Sequence, residues 1–450
     1  MFIHMKINVE MITVGNKILP LIKEHKSGKS IGITSICSAN EYVIKAAILN
    51  AKLKGINAVL ESTSNQVDQF GGYTGMTPND FRDFVFTLAS SEDFPISNII
   101  LGGDHLGPNV WQNKASAVAM ENAKDQIAAY INAGYSKIHL DTSMKCADDG
   151  DPEAPLQPNI IADRAARLCK TAELVYAEHS SSIEPPVYII GTDVPPPGGS
   201  KTIDDDIHIT NPEEVEETIE VTKNAFFKNN LEDAWERVIA VVVQPGVEFS
   251  DENIFDYNRQ KAEGLVGKMN AMNNLIYEAH STDYQSAQSL KQMVEDHFAI
   301  LKVGPWLTFT FREAVFALEM IEKELYSHNK TVNLSELTST LVRIMKKNPS
   351  SWKKYYGSTE TPDIERKLKY SYSDRIRYYW SDKKIKESLQ QLIYNLSAIK
   401  IPLTLISQYL PNQFKGLREN EIENKPKEII YHKINEVLEI YYYATSGVNL

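Results

Sequence analysis

Between residues 31 and 305 one pattern repeats: a short β-rich apolar run, a polar cluster at its end, then an amphipathic helical stretch. Eight such runs occur: IGITSI (31–36), AVLEST (58–63), NIILGG (98–103), KIHLD (137–141), VYIIGT (187–192), VIAVVVQ (238–244), LIYEAH (275–280) and AILKVG (299–304). Several are continuous apolar strands, as expected of a parallel sheet covered by helices. The stretches between them carry helix punctuation. EYVIKAAILNAKLKG ends on Gly55, Thr77 and Pro78 open TPNDFRDFVFTLAS, and Asn211 and Pro212 open NPEEVEETIEVTKNAFF. Alternating strands and helices imply right-handed crossovers. Eight units, none followed by a clean G-x-G-x-x-G turn, predict an α/β fold of the (β/α)8 TIM-barrel type over an open doubly wound sheet.

After Arg312 the pattern changes to helical stretches without strands, among them REAVFALEMIEKELY, LSELTSTLVRIMKK and KPKEIIYHKINEVLEIYYYAT. The chain therefore divides into a barrel with an N-terminal extension, residues 1–320, and a helical C-terminal region, residues 321–450. Residues 346–387 hold twelve Lys or Arg against six Asp or Glu, a local charge of +6 in a chain whose net charge is −12. Such a segment is a set of solvated helix faces, a docking surface or a phosphate contact.

The acidic balance argues against nucleic acid as a partner, because no diffuse positive field is available. No apolar run is long enough to span a bilayer and the N-terminus lacks a signal-peptide core, so a cytoplasmic protein without membrane contact is expected. Three cysteines, Cys37, Cys146 and Cys169, are too few and too irregular for a disulfide framework or a structural zinc site.

Barrel enzymes mount their chemistry on the loops that follow the strands. Here those loops read CSAN, ESTSNQ, DHLGPN, DTSM, DVPPPGG, PGVE, STDYQ and PWLT. The segment Gly102-Gly103-Asp104-His105-Leu106-Gly107-Pro108 sets a carboxylate beside an imidazole at a strand end. His139 and His280 end two further strands, with Asp141, Glu278 and Asp283 nearby. Residues two apart on a strand share a face, so His139 pairs with Asp141 and Glu278 with His280. Neutral imidazoles suit Zn²⁺ or a similar divalent ion, and a neighbouring carboxylate can exchange a proton with a substrate that the ion polarises. His105, His280 and His139 are thus the candidate metal ligands, and Asp104, Asp141 and Glu278 the candidate catalytic groups. Buried imidazoles and acids that only tie down loops would leave the same pattern.

Asn65 and Gln66 in the second loop are candidate substrate contacts. So are Gly72, in Gly71-Gly72-Tyr73-Thr74-Gly75, and Lys302 and Gly304, in a turn leading into a helix whose free N–H groups favour an anion. The Pro- and Gly-rich stretch DVPPPGGSKTIDDD reads as a long loop able to close over a ligand. No P-loop, kinase signature or G-x-S-x-G elbow is present, which removes support for P-loop phosphoryl transfer and serine-hydrolase chemistry.

At ESTSNQVDQFGGYTGMTPNDFRDFVF, LGGDHLGPNVWQ, SKIHLDTSM, VVVQPGVEF, YEAHSTDYQ, HFAILKVGPWLTF and SDRIRYYW the chain resembles the GatZ/KbaZ (AgaZ-like) family from about residue 18 to 445. The resemblance implies an aldolase-type barrel serving as an accessory, non-catalytic subunit of class II D-tagatose-1,6-bisphosphate aldolase. It further implies a separate catalytic subunit as partner, a sugar phosphate as ligand, and a place in galactitol, N-acetylgalactosamine or tagatose catabolism; a homo-oligomer is compatible with it. Some relatives have been labelled tagatose-6-phosphate kinases, a label the missing phosphate-transfer motifs do not support. Others resemble metal-dependent ketohexose 4-epimerases acting on tagatose, fructose or their phosphates, which is the alternative reading. The chain departs from the family in GTDVPPPGGS, where Asp193 stands in place of a longer carboxylate, and in starting upstream of the usual first residue.

Overall fold

The computed structural model describes residues 16–151, 154–180, 183–194, 207–356 and 363–448. Eight parallel strands close a barrel in chain order: β1 (Ile33–Cys37), β2 (Ala58–Thr63), β3 (Ile99–Leu106), β4 (Lys137–Leu140), β5 (Val187–Ile190), β6 (Val238–Val243), β7 (Ile276–Ala279) and β8 (Ile300–Val303). Each coincides with one of the apolar runs, and β1 pairs with β8 to complete the cylinder.

Local chemistry explains the helix boundaries. Asn40 Oδ1 accepts from the backbone N–H of Tyr42 at 2.9 Å and of Val43 at 3.3 Å, starting the helix Glu41–Lys54, and Gly55 ends it in the left-handed region at φ 65°. Thr77 with Asp80 and Asn211 with Glu214 form reciprocal capping boxes on the helices after β2 and β5.

The barrel interior is layered. At the bottom, Ile33, Val59, Ile100, Ile239, Ile276 and Ile300 form an apolar floor. The helix Ile18–Lys26 closes it from below by burying Ile18 and Ile22 there. Asn16 fixes that helix: its side-chain amide donates to the carbonyls of Ser136 at 3.1 Å and Pro185 at 3.0 Å, at the bottom ends of β4 and β5. Burying the Ile18 and Ile22 side chains contributes roughly 1.5–3 kcal/mol each.

The helix following β8 runs from Pro305 to Tyr326, through residue 320. The last helix, Pro426–Thr445, returns to the barrel and packs on the helices Glu41–Lys54, Ala287–Glu295 and Pro305–Tyr326. Tyr441 Oη donates to the Thr282 carbonyl at 2.9 Å, and the Gly32 N–H donates to the Thr445 carbonyl at 2.9 Å. The C-terminal region is helical, as the loss of strand pattern predicts. Among the described residues no helix is long and apolar enough to cross a membrane. Residues 195–206, the bulk of the Pro- and Gly-rich loop, and residues 1–15 lie outside the described residues.

Candidate active site at the barrel mouth

Above the apolar floor lies a layer of buried charge. Lys137 Nζ sits 2.7 Å from Glu61 Oε1 and 2.6 Å from Glu278 Oε2, with all three side chains fully buried. Lys302 Nζ contacts the other Glu61 oxygen and lies 2.9 Å from Asp104 Oδ1 and 3.8 Å from Glu278 Oε1. Ser35 donates its hydroxyl to Glu61. Room for Glu61 comes from Gly102, its neighbour on β3, where an added Cβ would lie 2.6 Å from Glu61 Cγ. Burial works against charge on Glu61 and Glu278, but the two ammoniums outweigh it and hold both carboxyls below their usual range.

The next layer holds the imidazoles. Register shifts between Gly103 and Leu106 where β3 meets β4, and His105 takes a left-handed backbone at φ 52°. A bulge of this kind re-aims a side chain, and it lets the sequence neighbours Asp104 and His105 both line the mouth. Such a conformation costs of order 1–3 kcal/mol in a non-glycine residue and clusters at functional sites. Ser281, directly after His280, is also left-handed at φ 54°. The three rings form a triangle, with centroids 5.2 Å apart for His105 and His139, 4.9 Å for His105 and His280, and 5.2 Å for His139 and His280. Strand ends 34 to 175 residues apart in sequence meet in one cluster.

Hydrogen bonding differentiates the rings. His105 Nδ1 lies 2.8 Å from Asp141 Oδ2, and its Nε2 lies 3.7 Å from Asp104 Oδ2. Burial opposes a charge on His105, but Asp104 and Asp141 outweigh it and raise its pKa. Burial likewise opposes ionisation of Asp141, yet the bond from His105 holds that carboxyl well below its usual range. His280 Nε2 lies 3.0 Å from Glu278 Oε1, but burial dominates and lowers its pKa to about 4, so its ring is neutral near pH 7. His139 Nδ1 lies 2.9 Å from Asp104 Oδ1. The backbone N–H of His105 also donates to that Nδ1 at 3.2 Å, and the ring's other nitrogen is Nε2. That Nε2 is buried and has no partner among the described residues.

A buried ring nitrogen without a partner costs about 1–3 kcal/mol, and in its unprotonated form it can bind a cation. One donor atom from each of Asp104, His139, Glu278 and His280 falls within a mutual 4.8 Å, so the residues present suit a divalent ion. His105 stands outside that group of four, tied to Asp141. Lys302 competes for the same oxygens. Glu61, Asp104, Asp141 and Glu278 set four carboxyls against the two ammoniums of Lys137 and Lys302, an acidic excess that favours a cation or a protonated His105.

Of the expected substrate contacts, Asn65, Gln66, Lys302 and Gly304 line a mouth cavity of about 500 Å³ together with Asp104, His105 and His280. Gly72 does not. Its φ of 54° makes a tight turn, and its N–H donates to Asp68 Oδ1 at 2.9 Å, so it has no donor to offer an anion. The turn at Gly304 is also already satisfied: Asp283 Oδ1 accepts from the N–H of Gly304 at 3.0 Å and of Trp306 at 2.8 Å. The protein's own carboxylate occupies the anion position at that helix start. Burial raises the Asp283 pKa to about 6 against those two N–H groups. Asp193 accepts from Thr210 Oγ1 at 2.5 Å and does not line the cavity.

Three functional features escape a reading of the sequence. Glu61 and Lys137 form the charged layer; their only signal is a charge inside an otherwise apolar strand. The roof of the cavity is the third. It comes from Arg377, Tyr378 and Trp380 and from Lys386 and Gln390 on the helix Lys383–Ser397. The net charge of residues 346–387 pointed toward this segment without saying which residues turn inward. Tyr378 meets Tyr73 edge-on at 4.8 Å, so the Gly71–Gly75 turn holds the roof to the barrel.

Comparison with known proteins agrees with this architecture. The chain is 48% identical over 427 residues to the D-tagatose-1,6-bisphosphate aldolase subunit GatZ of Klebsiella pneumoniae, covering 95% of this chain and 99% of that protein. It is 42% identical to a probable tagatose 6 phosphate kinase from Sinorhizobium meliloti, whose crystal structure superposes with a TM-score of 0.82 over 92% of this chain and 100% of the other. The family profile of the D-tagatose-1,6-bisphosphate aldolase subunit GatZ/KbaZ-like proteins matches residues 18–446, and the chain belongs to that family.

Proposed function

We propose that the chain is an accessory subunit of tagatose-1,6-bisphosphate aldolase, supporting the activity and stability of a separate catalytic class II aldolase subunit. The observation that carries this reading is the 48% identity, over nearly the whole of both chains, to a protein named as such a subunit. The buried layer argues against Schiff-base chemistry in this barrel. Lys302 is held protonated by Asp104, Glu61 and Glu278 against the cost of burial, so it offers no free amine for covalent catalysis. Co-expression with the catalytic subunit tests the proposal: the two are expected to co-purify, and the catalytic subunit alone to lose activity faster. Catalytic activity and lifetime that are indifferent to this chain would refute it.

A second reading, a metal-dependent 4-epimerase of tagatose, fructose or their 6-phosphates, is favoured by the four-residue donor group that includes His139, whose Nε2 has no partner among the described residues. Asp104, His139, Glu278 and His280 would hold the ion. When bound, a divalent ion, with Zn²⁺ the best match to this N/O donor set, supplies Lewis-acid polarisation of substrate oxygens. The chain's own acid/base pair is Asp141 with His105: Asp141 orients the ring and stabilises its charge, and His105, which lines the cavity, is the proton carrier. Metal analysis of the purified protein and an assay on tagatose 6-phosphate and fructose 6-phosphate decide between the readings. Stoichiometric metal with turnover supports the enzyme; neither metal nor turnover removes it.

A further inference from the structure

The structure assigns an anion-binding role to the roof of the mouth cavity: Arg377 and Lys386 of the C-terminal region receive the phosphate end of a phosphorylated polyhydroxy compound. The inference deepens the proposal that this barrel serves sugar-phosphate metabolism and rests on it only for the choice of probe.

Four observations carry it. First, the cavity is of ligand size, about 500 Å³, within the range of roughly 300–1,000 Å³ typical of small-molecule sites. Second, its cations differ in availability. Lys302, at the deep end, is neutralised by Glu61 and Asp104. Arg377 instead spends its guanidinium on neutral partners: Nη1 donates to the carbonyls of Ser373 and, at 3.1 Å, Asp374, and Nη2 donates to Tyr378 Oη at 3.0 Å. Those bonds hold the group rigid and leave its charge without a carboxylate in ion-pair contact among the described residues. Lys386, exposed on the rim, has no hydrogen bond or ion pair from its ammonium among the described residues.

Third, the other anion position near this cavity, the start of the helix Pro305–Tyr326, is taken by Asp283. An incoming anion is thereby directed to the roof. Of the acidic groups lining the cavity, Asp104 is paired below and Asp283 is held by backbone N–H groups, while Glu41 lies at the start of a helix. Fourth, neutral hydrogen-bonding side chains line the space between the roof and the imidazoles, among them Asn65, Thr74, Ser281, Ser381 and Gln390. Amides and hydroxyls suit a chain of sugar hydroxyls, and two cations above them suit a dianionic phosphate. Asp374 and Asp283 interact with the Arg377 charge at longer range, and neither forms an ion pair with it among the described residues, so the guanidinium keeps the capacity for a phosphate.

The experiment is titration calorimetry on the full-length protein with three probes: tagatose 6-phosphate, tagatose and inorganic phosphate. The phosphate ester is expected to bind at least about tenfold tighter than the free sugar, as one charge-assisted hydrogen bond implies. Lys386→Gln, on the exposed face of its helix, is expected to weaken the ester about three- to tenfold while leaving affinity for tagatose unchanged. Arg377→Lys keeps the charge and loses the fork, and is expected to weaken the ester more, with circular dichroism checking that the fold is retained. Equal binding of ester and free sugar, no binding of any probe, or an equal loss for both ligands in the Lys386 variant would overturn the assignment. None of these outcomes bears on stimulation of the catalytic subunit, which is read separately, so the two readings fail independently.

Discussion

Lys137→Met removes the ammonium at the centre of the buried charged layer and leaves the surrounding shape nearly intact. In the native barrel that ammonium lies 2.7 Å from one carboxylate and 2.6 Å from another, with no solvent at any of the three groups. Its loss leaves Glu61 and Glu278 facing each other across an apolar thioether, with Lys302 as the remaining counter-charge. Breaking a buried ion pair from one side costs about 3–5 kcal/mol, because the orphaned charge keeps its desolvation penalty. Two orphaned contacts here place the expected loss at the upper end of that range. Urea unfolding is the assay, with the slope checked for constancy so that the midpoint reports stability. Adding Glu61→Gln in the same chain removes one of the opposed charges and is expected to recover part of the loss. A single variant that unfolds within about 1 kcal/mol of the parent, as surface ion pairs do, would show that the layer is not held by charge complementarity. No recovery in the double variant would refute the same reasoning.

Three further predictions concern the site's scaffold. Gly107→Ala places a Cβ 1.8 Å from the Asp141 carbonyl oxygen and breaks the approach of β3 to β4, so a loss of about 3 kcal/mol or more is expected in thermal or chemical unfolding; wild-type stability would contradict the packing described. Asp283→Asn keeps an oxygen to accept from Gly304 and Trp306 and removes a carboxylate whose pKa is raised to about 6. A raised carboxyl pKa gives stability that is present at low pH and lost as pH rises toward 6, by about 3 kcal/mol for a shift of about two units. The Asn variant is therefore expected to be more stable than the parent at pH 8, with the difference vanishing toward pH 4; a pH-independent difference would contradict the assignment. His139→Phe fills the site of the orphaned Nε2 with carbon, and Zn²⁺-dependent stabilisation in thermal shift is expected to disappear in that variant if the parent shows it. Equal Zn²⁺ stabilisation in both would exclude His139 as a ligand.

The barrel is legible in the sequence because parallel strands must be apolar on both faces, and each of the eight runs is bounded by its own turn or cap residues. The meeting of His105, His139 and His280 is legible for a related reason: barrel topology brings every strand end to one rim, whatever the separation along the chain. The charged layer is not. Glu61 and Lys137 sit in strands whose propensity is set by Val, Leu and Ile, and which strand faces which across the lumen depends on closure and stagger, not on local pattern. The Gly304 turn shows the opposite limit. Its spacing correctly announces a helix start suited to an anion, but only the fold reveals that Asp283 already fills it. The roof depends on the helical region folding back over the mouth, and Lys386 and Gln390, one turn apart, resemble any solvated helix face until that happens.

Aldolase lifetime is the most direct measure of the account. Tagatose-1,6-bisphosphate cleavage by the catalytic subunit is followed during incubation with this chain, without it, and with this chain alone. The catalytic subunit is expected to keep its activity markedly longer in the mixture, and this chain by itself to cleave nothing. Identical decay with and without this chain, or cleavage by this chain on its own, would contradict it.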